Sequence, residues 1–308
     1  MWRLPKGRIN LTGIFPPIPT PFSADESVAF EKLATNIEKW NKIPFAGYVV
    51  QGSNGEYPML APQERVEIIS KVREYVGQEK IIIAGSSCES TRATVKMSQK
   101  MAEAGADAVL VLTPHYFKSS MTVSAMEKFF KTVGDESPVP VVLYNMPANT
   151  GIDMGPDLVV SLAHHPNICG LKDSGGDVTK IARIVKETEG CDFQVVAGSA
   201  GFLLPSLVVG CVGGILGLAN ILGQEICHLL QLYHEGAKQE ALDLHQRFLI
   251  PNSLVTRELG VPAMKKACEF AGLYGGPCRT PLQPLSEKQI LIVKKAFQKS
   301  GFFVNCND

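Results

Sequence analysis

Short apolar runs that recur at helix-sized intervals constrain this chain more than any other feature. They occupy residues 13–22, 47–51, 81–85, 108–113, 140–145, 168–172, 193–198 and 212–218. They are rich in Val and Ile and mostly run straight through without polar alternation. A strand that is apolar on both faces is covered on both, which is the mark of a parallel sheet packed between helices. Helical periodicity fills the gaps. Between the second and third runs, Ile69, Val72 and Val76 make one stripe, while Arg65, Lys71 and Glu74 lie largely off it. Pro62 suits the first turn of that helix. Val178, Ile181, Ile184 and Val185 make a second stripe, with Asp177 placed as its N-cap.

Eight strand–helix alternations predict an α/β fold, the (β/α)8 TIM barrel. The runner-up is an open doubly wound sheet, but no G-x-G-x-x-G follows the first run and no P-loop lysine motif occurs. After about Leu222 the pattern is helical only, with breaks at Gly236, Pro251, Pro262, Gly272 and 275–277. Ser286 followed by Gln289 is a capping-box signature for the last helix. The expected division is an N-terminal tail over 1–12, a barrel over 13–222 and a C-terminal helical region over 223–308.

Formal net charge is zero, which argues against a broad nucleic-acid or anionic-membrane surface. No apolar stretch reaches the roughly 18 residues of a membrane helix. The longest, 202–220, is interrupted by Pro205 and by glycines. The eight cysteines are scattered without a C-x-x-C and fit reduced core thiols, not a disulfide scaffold or a zinc site. The histidines show no ligand spacing, so no metal is expected. Residues 1–8 are basic, which fits the stub of an organelle presequence or a plain disordered tail.

In a barrel the reactive residues lie at the C-terminal ends of the strands. Lys172 ends the run 168–172, where an ammonium is costly unless the chain uses it. Apolar walls favour the neutral amine, and a neutral lysine attacks carbonyl carbon. The protonated imine is then the electron sink, and no metal or other cofactor is needed. Tyr144 ends the neighbouring strand and can share one cavity with Lys172, while Ser53 and Asn54 face them across the mouth. Side chains alternate, so Lys172 and Ser174 share a face and Asp173 points away, suited to anchoring the loop. Read from residues alone, each of these has a plainer alternative. Lys172 could be a solvated rim residue and Tyr144 a wall residue. The glycines at 52–55 and 198–201 could mark simple turns. Tyr116 and Phe117 could be core or an oligomer contact.

Gly52-Ser53-Asn54-Gly55-Glu56, Tyr144-Asn145-Met146-Pro147 and Gly170-Leu171-Lys172-Asp173 stand in order with compatible spacing. Together they resemble the pyruvate-dependent class I aldolases, the superfamily of dihydrodipicolinate synthase and N-acetylneuraminate lyase. Stretches 50–56, 147–151, 172–177, 197–202 and 275–279 are most similar to the eukaryotic branch that cleaves 4-hydroxy-2-oxoglutarate. The likeness covers nearly the whole chain from about Gly13. It implies Lys172 as Schiff-base lysine and Tyr144 as proton shuttle, with Ser53, Asn54, Ser174 and Gly198 touching a small 2-oxo acid. It places Tyr116 across a subunit interface, completing a proton relay, although His115 stands where many relatives have another aromatic residue. It further implies a homotetramer, the last step of hydroxyproline breakdown and a mitochondrial location, with a cytoplasmic one as the alternative. A sister synthase or lyase with a different aldehyde partner is the alternative activity. Dihydrodipicolinate synthases carry an arginine after the fifth strand for the acidic second substrate; here Asn149 holds that position, and the group that holds a distal carboxylate is left open.

Overall fold

Pro16 breaks the first strand into two pieces that serve different neighbours. In the computed structural model, which describes residues 8–303, these are β1 (Gly13–Phe15) and β2 (Pro17–Ile18). The others are β3 (Gly47–Val50), β4 (Ile81–Gly85), β5 (Ala108–Leu112), β6 (Val141–Asn145), β7 (Ile168–Asp173), β8 (Gln194–Ala197) and β9 (Gly213–Ile215). β1 pairs with β9 and β2 with β3, and every neighbouring pair between is parallel. The split strand therefore closes the sheet into a (β/α)8 barrel. Each predicted apolar run contains its strand, except that β7 runs one residue past its run, to Asp173.

The barrel has two apolar layers. Phe15, Val49, Ile83, Leu110, Val142 and Val196 fill the interior. A larger layer lies between strands and helices, and the predicted stripe of Ile69, Val72 and Val76 joins it from the helix Pro62–Val76. Asp177 caps the helix Val178–Glu187 by accepting from Lys180 N at 3.0 Å. Arg65 departs from the sequence reading: it is buried, not off the packed face. Its guanidinium donates to Gly85 O at 2.7 Å and to Ser87 O and Gln51 Oε1 at 3.2 Å. Strand-end carbonyls draw it inward.

Packed structure continues across both expected domain edges. Ile9 and Leu11 are buried on the barrel floor, tied by Leu11 N to Gln194 Oε1 at 2.9 Å and Gln194 Nε2 to Ile9 O at 2.7 Å. Packing thus begins ahead of Gly13, inside the expected tail; the presequence reading falls largely on residues 1–7, outside the described ones. The helix Gly223–Glu235 follows β9 and lies against β1, so it completes the eighth unit of the barrel. The extension beyond it comprises Lys238–Ser253, a π-helical turn Leu254–Glu258, Gly260–Phe270 and Glu287–Lys299. It docks on the turns after β8 and β9 (Ala200–Phe202 and Gly217–Asn220). Ser286 and Gln289 form the expected capping box. Among the described residues no helix is long and apolar enough to cross a membrane. The cysteines among them are free, and burial pushes the Cys169 and Cys268 thiols up to about 12; Cys306 lies outside the described residues.

One irregularity decides which way the sixth barrel strand faces. Val141 pairs with Ile168, but Val142 pairs with Gly170, so Cys169 is an extra residue in β7. A bulge of this kind resets the alternation. Ile168 and Leu171 face the outer layer and Cys169 the interior. Gly170 fits the bulge because a Cβ there would stand 2.4 Å from Gln194 O and 2.7 Å from Leu11 Cδ1. Gly170→Ala is accordingly expected to cost about 1–3 kcal/mol through overpacking. A urea midpoint unchanged from wild type would contradict this account.

Candidate active site

Tyr144 pairs with Lys172, and Asn145 with Asp173, across β6 and β7. Alternation then sends the first pair into the barrel and the second pair outward. Lys172 is only 3% exposed, and its Nζ lies 4.1 Å from the centroid of the Tyr144 ring. Among the described residues no carboxylate pairs with it. The Tyr144 hydroxyl is 3.3 Å from Ser53 Oγ. These three side chains, predicted from opposite sides of the mouth, do meet.

Ser53 and Asn54 sit in a one-turn 3-10 helix, Ser53–Gly55, that follows β3. Gln51 and Glu56 bracket it with left-handed backbone, φ 62° and 55°. Such strain in non-glycine residues persists only where the surroundings hold it. Arg65 holds Gln51. Glu56 is clamped by Lys265 Nζ at 2.6 Å, with both side chains 1% exposed, and accepts from Arg279 N at 2.9 Å. Lys265 also donates to Pro277 O at 2.7 Å. Sequence reasoning missed Arg65, Glu56, Lys265 and Arg279 as supports. The available signal was an acidic residue closing the Gly-Ser-Asn-Gly turn, with the lysine pair 265–266 in a mostly apolar helix far along the chain.

Asp173 organises the other side of the mouth, as the anchor its outward position suggests. Its Oδ1 accepts from Gly175 N at 2.8 Å, and its Oδ2 from Asn145 Nδ2 at 2.8 Å, with Lys180 Nζ at 3.1 Å. Lys180 also meets Asp153 at 2.6 Å. Burial alone would lower the Lys180 pKa, but the bonds to Asp153 and Asp173 outweigh it and raise it. Ser174 N donates to Asn145 O at 2.8 Å, and Gly198 N donates to Asp173 O at 2.7 Å. The amide of Gly198 is thus engaged within the fold, and what this residue offers is room: a Cβ would stand 2.1 Å from Ser174 Oγ. Asn54 lies at the end of β9, where a Cβ on Gly217 would stand 2.7 Å from its Nδ2.

Tyr116 is not brought to the pair within one chain. It is 76% exposed and packs edge-on against Phe117, 5.0 Å between centroids. Glu89 holds this segment, accepting from Tyr116 N at 2.9 Å and His115 N at 3.0 Å. Among the described residues no three His, Cys, Asp or Glu side chains gather as metal ligands. What the interior does assemble is a buried amine free of carboxylates beside two hydroxyls in contact. That combination suits imine formation with proton relay.

The dihydrodipicolinate synthetase family profile matches residues 10–300. A 4-hydroxy-tetrahydrodipicolinate synthase of Methanoculleus marisnigri is 34% identical over 291 residues, which is 94% of this chain and 99% of the relative. A probable mitochondrial 4-hydroxy-2-oxoglutarate aldolase of Emericella nidulans is 35% identical over 293 residues, 94% of each. The crystal structure of a dihydrodipicolinate synthase from Bacillus anthracis superposes with a TM-score of 0.90 at 29% identity, covering 94% of this chain and 99% of that one. A prophage protein of the same family from E. coli K12, solved with pyruvate, gives 0.89 at 29% identity, covering 95% and 99%. The likeness runs through every barrel strand and into the helices docked on them, and on that ground the chain belongs to the dihydrodipicolinate synthetase family of class I, pyruvate-dependent lyases.

Proposed function

We propose that this enzyme is a Schiff-base aldolase that cleaves 4-hydroxy-2-oxoglutarate to pyruvate and glyoxylate. The observation that carries the reading is the buried, carboxylate-free Lys172 beside Tyr144, with Ser53 on the tyrosine hydroxyl. Lys172 attacks the C2 ketone and expels water to give the imine. Hydroxyl and amide groups around Ser53 and Asn54 hold the C1 carboxylate, and Ser174, whose hydroxyl fits only because Gly198 has no side chain, meets the rest of the substrate. Tyr144, relayed through Ser53, takes the proton of the C4 hydroxyl. The C3–C4 electron pair moves into the iminium as glyoxylate leaves. The enamine is protonated at C3, and water hydrolyses the iminium to pyruvate and free Lys172.

The Emericella relative supports the choice of aldehyde. So does Asn149, an exposed amide in the turn Pro147–Thr150 where the synthases carry arginine. A second reading, a synthase or lyase joining pyruvate to another aldehyde, draws support from the relatives: more of them bear the synthase name than the aldolase name. The proposal extends to a homotetramer in which an exposed Tyr116 from a neighbouring copy completes the relay, and to a mitochondrial location like that in the fungal relative's name. A cytoplasmic location is the alternative.

Borohydride reduction in the presence of pyruvate is expected to leave one mass adduct, on the peptide containing Lys172, and none in Lys172→Ala. An adduct elsewhere would refute the assignment. Tyr144→Phe is expected to lower the rate of glyoxylate release by about 10²–10⁴-fold, the scale of a lost proton-transfer group. The acceptor is decided by offering pyruvate with glyoxylate, aspartate semialdehyde or N-acetylmannosamine. Glyoxylate is expected to condense fastest, and a clear preference for aspartate semialdehyde would move the enzyme to the second reading.

A further inference from the structure

A dicarboxylic substrate brings a second negative charge, and Asn149 cannot neutralise it. Besides Lys172, Lys118 and Arg257 stand near the barrel mouth with no hydrogen bond or ion pair among the described residues. Lys118 lies on the β5–β6 side, its Nζ 2.8 Å from where a Cβ on Gly151 would stand. Arg257 lies on the β7–β8 side, its Nη2 3.6 Å from the corresponding point on Gly176, four residues past Lys172. We propose that Arg257 is the specificity-determining residue that binds the carboxylate of the aldehyde half, the end that leaves as a 2-oxo acid. The inference rests on the dicarboxylate reading above.

Three arguments favour Arg257. First, the proposed pose sets the direction of the substrate. With C1 near Ser53 and Asn54 and C2 on Lys172, the far end runs past Ser174 toward the loop after β7, where Arg257 stands beside Gly176. Second, the rim beside it offers hydroxyl protons. Ser199 Oγ accepts from Asn252 Nδ2 at 2.9 Å and from Gly201 N at 3.3 Å, so its own proton is left to donate. Ser174 Oγ, beside Gly198, has no bond among the described residues. Third, Arg257 sits on the π-helical turn Leu254–Glu258, a rare irregularity that is frequent at functional sites. The turn is fixed from below, where Thr256 Oγ1 donates to the carbonyl of buried Asn252 at 2.6 Å. A guanidinium matches a carboxylate in two parallel bonds, which the ammonium of Lys118 does not.

The test compares two substrates on wild type, Arg257→Gln and Lys118→Gln. One is 4-hydroxy-2-oxoglutarate; the other is 4-hydroxy-2-oxobutanoate, which lacks the second carboxylate. Arg257→Gln is expected to raise KM for the dicarboxylate by about tenfold or more, as for a lost charged hydrogen bond. Loss of kcat is expected to be much smaller, and KM for the truncated substrate should stay put. The inference is overturned if Lys118→Gln shows that KM rise and Arg257→Gln does not, or if Arg257→Gln affects both substrates alike. Wild type that handles both substrates equally well would instead sink the dicarboxylate reading itself.

Discussion

The extra residue at Cys169 is the constraint on which the site depends. Counting alternation forward from outward-facing Ile168 without it, Lys172 would point to the helices and Asp173 into the barrel. With it, the amine faces Tyr144, and the carboxylate faces Asn145 and Lys180. One inserted residue thus separates the reactive nitrogen from the nearest acid in sequence. That separation matters chemically, because a carboxylate beside the amine would hold its proton in place.

The molecule treats its other buried cations differently. Arg65 is surrounded by carbonyls, Lys180 lies between two aspartates, and Lys265 is paired with Glu56. Each is structural: it fixes a strand end or a loop at the mouth. Lys172 has an aromatic face in place of a counter-charge. An aromatic face attracts an ammonium only modestly compared with a buried carboxylate, so it holds the side chain more weakly than an ion pair would.

Much of this was legible in the sequence, and the limits have physical causes. Strands with no polar alternation betray a barrel, and the ends of those strands contain Ser53, Tyr144 and Lys172. That Asp173 faces opposite to Lys172 followed from alternation, whereas the bulge that turns the lysine inward leaves no local pattern in the sequence. Arg65 was misjudged because helical periodicity ranks positions by helix face, and Arg65 extends past its own face to strand-end carbonyls. The Glu56–Lys265 pair joins residues far apart in sequence, and no local pattern reports such a contact. The early packing of Ile9 and Leu11 was hidden because two apolar residues are too few to show a period. Tyr116, exposed in the single chain, lies where the resemblance expects a neighbouring subunit.

The clamp between Glu56 and Lys265 makes the far end of the polypeptide answerable for chemistry begun near its start. Losing that distant lysine would strand an acid in the dark beneath the turn that carries Ser53, at a cost of about 3–5 kcal/mol. Lesions in the closing helices would then surface as a silent enzyme with every reacting group still in its sequence.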